Sequence, residues 1–148
     1  MAEELLLTSY ERAWNLRDQR ACAECFASHG VREFRVRQIC DAPVDSPRLI
    51  QGRQAIAADI REVMVAVPDL SVEIVSVGYG SDRRLWTEWR LRGTSALGGR
   101  AWPPTGQRIE VLGVSIFRLS NAGFLEERLY WDSAFTRGRR DGLPGLHP

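Results

Sequence analysis

The spacing of apolar residues changes partway along the chain. In the first part they recur every three or four positions, the period of a helix with one buried face. Leu6, Tyr10, Ala13 and Trp14 set such a face over residues 3–16. After the break Asn15–Asp18, Asp18 is suited to cap a second helix reaching about Ala27, with Gly30 at its left-handed end. A short strand over about Val31–Gln38 and a Pro-containing loop at Asp41–Pro47 come next, then a third helix over Arg53–Val65, stopped by Pro68. From Leu70 onward the rhythm becomes alternation, the period of a strand. Strands are expected over 71–78 and 84–94, joined through Gly80-Ser81-Asp82, and over 107–119 and 124–134, joined through Asn121-Ala122-Gly123. Helices followed by an antiparallel sheet make an α+β domain, expected over residues 1–135, with a basic tail over 136–148. Gly113 lies inside a strand and is the expected site of sheet curvature.

Composition narrows the classes of function. The chain has 148 residues, 44% of them hydrophobic, enough for one cored domain. Its 20 basic and 19 acidic side chains nearly cancel, without the basic excess of a nucleic-acid binder. No apolar stretch reaches the roughly 20 residues of a membrane span. The acidic start Met1-Ala-Glu-Glu-Leu5 lacks the order of a signal peptide, so the cytoplasm is the expected compartment. Cys22, Cys25 and Cys40 read as reduced thiols; Cys22 and Cys25 fall on an apolar helix face with Phe26, and no metal is expected. Nucleotide and zinc-protease motifs are absent. Every basic side chain is arginine, which leaves no lysine for Schiff-base chemistry.

Several segments, taken in order, carry a family resemblance. They are SYERAWNLRD (9–18), GRQAIAADIREV (52–63), EWRLRGT (88–94), PPTGQRIEV (103–111), and the hairpin GVSIFRL (113–119) with AGFLEERLYWD (122–132). Together they resemble the SnoaL-like polyketide cyclases of the NTF2-like, ketosteroid-isomerase-like superfamily. The resemblance implies a cone in which N-terminal helices pack on a strongly curved antiparallel sheet around an apolar pocket. It also implies a homodimer joined through the outer sheet face.

That resemblance assigns the chemistry. SnoaL-like cyclases use an acid on the last strand as general acid/base, which falls on Asp132, and neighbouring aromatics would raise its pKa by desolvation. Tyr10 matches the first-helix tyrosine that donates to the oxyanion in ketosteroid isomerases, with Ser115 a second candidate donor. Departures are clear: the isomerase base position falls on Phe34, the second acid on Ser115, and no histidine stands near it. Trp89 and Leu91 occupy the positions where an epoxide-opening relative has an Arg and an Asp. Trp89, Phe34, Phe117, Tyr130, Trp131, Trp102 and Gln38 are the candidate substrate contacts, although alternation alone leaves open which strand faces line the pocket. Glu88, Arg90 and Arg92, like Glu33, Arg35 and Arg37, read as solvated or interface stripes.

The expected function is a cofactor-independent acid/base enzyme acting on a small hydrophobic carbonyl compound, polycyclic ones included. It would catalyse an intramolecular aldol or proton-transfer isomerisation. The alternatives are a non-catalytic ligand-binding or dimerisation module on the same fold, or a natural-product hydroxylase or epoxide-opening enzyme.

Overall fold

The structure, a computed structural model, describes residues 2–34, 48–97 and 106–131. Its elements are α1 (Ala2–Asn15), α2 (Gln19–Glu24), β1 (Phe26–Phe34), β2 (Arg48–Gln51), α3 (Arg53–Ala66), β3 (Ser71–Tyr79), β4 (Arg84–Thr94), β5 (Arg108–Ser120) and β6 (Gly123–Trp131). The strands form one curved, open sheet in the order β2-β1-β6-β5-β4-β3. The sheet is mixed rather than purely antiparallel, because β1 runs parallel to β6 while every other pair is antiparallel. Both α2 and α3 lie in the connection from α1 to β3, and α3 packs on β1, β2 and α2 while α1 lies against β3.

Alternation along β5 is complete: Ile109, Val111, Gly113, Ser115, Phe117 and Leu119 are buried, and the residues between them are exposed or half-exposed. On β4, Leu85, Thr87, Leu91 and Gly93 are buried with Trp89 half-buried, while Trp86, Glu88 and Arg92 face out. These inner faces meet Leu7, Tyr10, Ala13 and Trp14 of α1 to make the core. Register shifts within β1, between Ile74 and Ser76, and between Arg118 and Leu119 mark irregularities of the kind that bend a sheet. Gly113 sits under the Trp89 indole, where a Cβ would collide with the ring, so close approach is what requires glycine there, and the register shifts lie elsewhere.

Two local expectations change. Asp18 does cap α2, its carboxylate accepting from the Arg20 and Ala21 N–H groups. The helix nevertheless stops at Glu24, so Cys25 is its C-cap and Phe26 already belongs to β1. The cause is long-range: the Phe124 N–H donates to the Cys25 carbonyl at 2.9 Å, pulling that backbone into the sheet. Gly30 is therefore a strand residue with no positive φ, pressed against the Phe124 carbonyl. Gly123 does need glycine, with φ +113° and the Cys25 carbonyl in the place of a Cβ. Arg48–Gln51 pairs with Val31–Phe34 as an added edge strand that the loop-like sequence before it concealed. Cys22 and Cys25 are buried free thiols, and burial pushes Cys25 up to about 11.

Candidate active site

The concave side of the sheet, closed by α1, holds a cavity walled mainly by Trp14, Trp89, Leu91, Phe117, Leu129 and Trp131. Cross-strand register builds its widest wall. Trp89, Gly113 and Trp131 lie in line across β4, β5 and β6. With no side chain between them, the two indoles meet edge to face at 6.3 Å. Phe34 packs edge-on to Trp131 from the far side at 5.4 Å.

One cluster of polar groups interrupts this apolar surface. Glu127 on β6 is only 2% exposed, and its two oxygens take different partners. Oε2 accepts from the Tyr10 hydroxyl at 3.0 Å and from Arg32 Nε at 2.7 Å. Oε1 accepts from the Ser115 hydroxyl at 3.0 Å, and Ser115 Oγ in turn accepts from the Trp89 indole N–H at 3.0 Å. Arg32, 3% exposed, donates through NH1 to Asp59 on α3 at 2.8 Å. Asp59 reaches Arg48 on β2 at 3.2 Å, where the network meets the surface. Three elements besides its own, α1, β1 and β5, thus converge on one carboxylate.

Each position has a local cause. Tyr10 lies on the buried face of α1, its ring edge-on to Trp14, Phe26, Phe117 and Phe124, so the hydroxyl has one direction to point. Arg32 and Glu127 are direct partners in the parallel β1–β6 register. The Arg32 guanidinium rests over the rings of Trp14, at 5.5 Å, and Phe34, at 5.0 Å. Burial strips these groups of water. Burial first, then Glu127, hold the Tyr10 phenol well above its ordinary value. For Arg32 burial opposes the charge, but Tyr10, Glu127 and Asp59 outweigh it and raise the guanidinium above its ordinary value. Asp59 is raised by burial against the pull of Arg32 and Arg48.

Of the residues singled out from sequence, Tyr10, Ser115, Trp89, Phe117 and Trp131 line the cavity. Phe34 backs Trp131 without lining it. Tyr130 stands apart, because alternation along β6 turns Glu127, Leu129 and Trp131 inward and pairs Tyr130 with outward-facing Val114. Asp132, Gln38 and Trp102 lie outside the described residues. Glu127, Arg32 and Asp59 were not anticipated. One usable signal was Asp59, an acid set between Ile56 and Ile60 on the apolar face of α3. Among the described residues, no three His, Cys, Asp or Glu side chains gather as a metal would require, and no helix is long and apolar enough to cross a membrane.

A family model for the SnoaL-like domain matches residues 7–127. The chain belongs to the SnoaL-like domain family. Solved structures agree on the fold. A protein from Jannaschia sp. CCS1 described as a SnoaL-like polyketide cyclase is 20% identical, with TM-score 0.74, over 95% of this chain and 92% of its own. AclR from Streptomyces galilaeus, described as a hydroxylase, is 20% identical with TM-score 0.73 over 99% and 90%. A protein from Bacillus subtilis described as an isomerase is 21% identical with TM-score 0.67 over 86% and 84%. No curated protein matches the chain. At these identities the SnoaL-like likeness is one of fold, and the neighbours' different activities leave the reaction to be argued from the site.

Proposed function

We propose that the protein is an acid/base enzyme acting on a small apolar carbonyl compound, with Glu127 as the group that takes and returns the proton. The observation that carries this reading is a buried carboxylate in the wall of an aromatic cavity, tied to Tyr10, Ser115 and Arg32. A carboxylate offers about four lone-pair directions, and three are used, so one on Oε1 remains for a substrate proton. In the first step Glu127 removes a proton from the carbon beside the carbonyl, and the electron pair moves to the carbonyl oxygen as an enolate. The negative charge has passed from Glu127 to the substrate, so Tyr10 and Ser115 are released to donate to the new oxyanion. Return of the proton to another carbon completes an isomerisation. Attack of the enolate on a second carbonyl, with the proton passing to the alkoxide, completes an aldol closure. Arg32 keeps its charge throughout, held by Asp59. The aromatic walls exclude water, and the scheme draws every group from the chain itself.

The SnoaL-like resemblance gives the same task to Asp132. Turnover of a panel of aromatic and aliphatic ketones separates the assignments. Loss in Glu127→Gln with Asp132→Asn active supports Glu127, and the converse moves the role to Asp132. Ligands that bind and stay unchanged in every form identify a binding module instead. The proposal includes a homodimer, since Trp86, Leu112 and Val114 leave apolar surface on the outer sheet face. Light scattering checks it, and a monomer contradicts it.

A further inference from the structure

The proposed reaction needs a hold on the substrate's carbonyl before any proton moves, and the donors gathered at Glu127 are already engaged. The Tyr10 and Ser115 hydroxyls donate to Glu127 in the resting site, and the Trp89 N–H donates to Ser115. They turn to a carbonyl only by giving up these bonds, the first two of them to a charged acceptor. Thr87 on β4 is placed differently. It is 2% exposed and lines the same cavity, and its hydroxyl makes no hydrogen bond among the described residues. Nor is that hydroxyl one of the sealed, unpaired atoms of the interior, so it opens to the cavity. A valine of the same shape would fill the place without the desolvation cost.

Sheet order puts Thr87 on the open side of the carboxylate. The strands run β1-β6-β5-β4, so Glu127 on β6 has Arg32 on one side and Ser115 and Thr87 on the other. Arg32 holds Oε2, while Ser115 holds Oε1, the oxygen with the unused direction. Thr87 is the direct cross-strand partner of Ser115, about 5 Å further along the same face. A carbonyl that accepts from Thr87 therefore lies beside Ser115, with its neighbouring carbon toward Oε1. Arg32, Trp14 and Trp131 also bring N–H groups to the cavity. Their places differ: Arg32, with the Trp14 ring against its guanidinium, is on the Oε2 side, and Trp131 stands in the Trp89–Gly113 row, beyond Leu129.

We propose that the Thr87 hydroxyl binds the substrate's carbonyl oxygen in the resting complex and so presents the adjoining carbon to Glu127. Tyr10 and Ser115 join at that oxygen once Glu127 has taken the proton. The anchor leaves the unused Oε1 direction to the reaction. It rests on the carbonyl reading proposed above and adds the residue that positions the carbonyl.

Binding of 2-tetralone labelled with carbon-13 at its carbonyl tests this on the intact protein. Tryptophan fluorescence reads the affinity through Trp14, Trp89 and Trp131, and isotope-edited infrared spectroscopy reads the carbonyl. Thr87→Val should weaken binding about three- to tenfold, the worth of one neutral hydrogen bond, and move the bound carbonyl stretch to higher wavenumber. Thr87→Ser, which keeps a hydroxyl, should return both toward wild type. Ligand-free Thr87→Val should melt at or above the wild-type temperature, because the lost hydroxyl has no partner inside the described fold. Unchanged affinity and an unchanged carbonyl band in Thr87→Val move the anchor to another donor, Arg32 first, and overturn the proposal. So does a wild type that does not bind the ketone, or a lower melting temperature in ligand-free Thr87→Val, which reveals a hydroxyl committed to the fold. Neither binding readout needs turnover. A wild type that holds the ketone through Thr87 without exchanging the protons beside its carbonyl for deuterium upholds the anchor and refutes the acid/base reading. Exchange that depends on Glu127 but is accompanied by no effect of Thr87→Val does the reverse.

Discussion

The two faces of the sheet use charged residues in opposite ways. On the outer face Glu73, Arg90, Glu110 and Arg92 form a ladder across β3, β4 and β5, with ion pairs from 2.7 to 4.0 Å in partly exposed surroundings. On the inner side Arg32, Glu127 and Asp59 make contacts of 2.7 and 2.8 Å with almost no exposure. The distances overlap, but the energetics differ. A pair at the surface exchanges one hydrated state for another and contributes little. A buried pair has given up hydration worth several kcal/mol per ion, roughly recovered only while every partner stays in place. A chain can carry the outer ladder at almost no cost, whereas the inner cluster persists against a standing penalty. That asymmetry directs the functional argument to Glu127.

The largest expected effect breaks the comparison directly. Arg32→Met should destabilise the fold by about 3–5 kcal/mol, because it strands two buried carboxylates. Arg92→Gln should leave the urea unfolding curve almost unchanged. Equal losses in both variants would show that the inner cluster is no more costly than the ladder.

A pair of glycines gives the next contrast. Gly113 and Gly78 each lie where a Cβ would strike an indole, Trp89 on the inner side and Trp86 on the outer. Trp89 is confined by Trp131 and tied to Ser115, so Gly113→Ala should cost about 1–3 kcal/mol by overpacking. Trp86 is 48% exposed and has solvent to swing into, so Gly78→Ala should cost clearly less. Thermal unfolding of the two variants checks the order.

The smallest effect concerns pH, and its sign differs between the faces. Burial raises Asp59, so the folded protein holds a proton there more tightly than the unfolded chain does. The stability this contributes is fully present below the ordinary Asp value of 3.8 and is lost as pH rises through the raised value. Glu110 is lowered, chiefly by its hydrogen bond from Arg92, so its contribution is present above 4.5 and is lost as pH falls through the lowered value. Urea titrations across the acid range should show Asp59→Asn removing a falling slope and Glu110→Gln removing a rising one. Slope changes of the same sign would refute the assignment.

How far the sequence could be read follows the same division. Strand β4 matches its expected span, Arg84–Thr94, and β3 and β5 agree to within a residue at each end, because alternation with a polar outer face is a local signal. The early start of β1 and its parallel pairing with β6 depend on contacts such as Phe124 with Cys25, nearly a hundred positions apart, which no local pattern encodes. The site divides in the same way. Tyr10 and Ser115 were marked through the resemblance, and both reach the cavity. Glu127 was hidden beside Glu126: adjacent acids on a strand face opposite ways, and only the β5 register shows which one turns inward. Arg32 was hidden beside the charged stripe starting at Glu33, and its partner lies 95 residues further along the chain.

The most direct test of the central claim is proton exchange at a carbon beside a carbonyl, which needs no knowledge of the natural substrate. Proton NMR would follow hydrogen–deuterium exchange at the acidic position of 2-tetralone in deuterated buffer, with wild-type protein, Glu127→Gln and Asp132→Asn compared. The account predicts exchange above the buffer rate with the wild type and with Asp132→Asn, falling to the buffer rate in folded Glu127→Gln. Exchange by Glu127→Gln at the wild-type rate would contradict it.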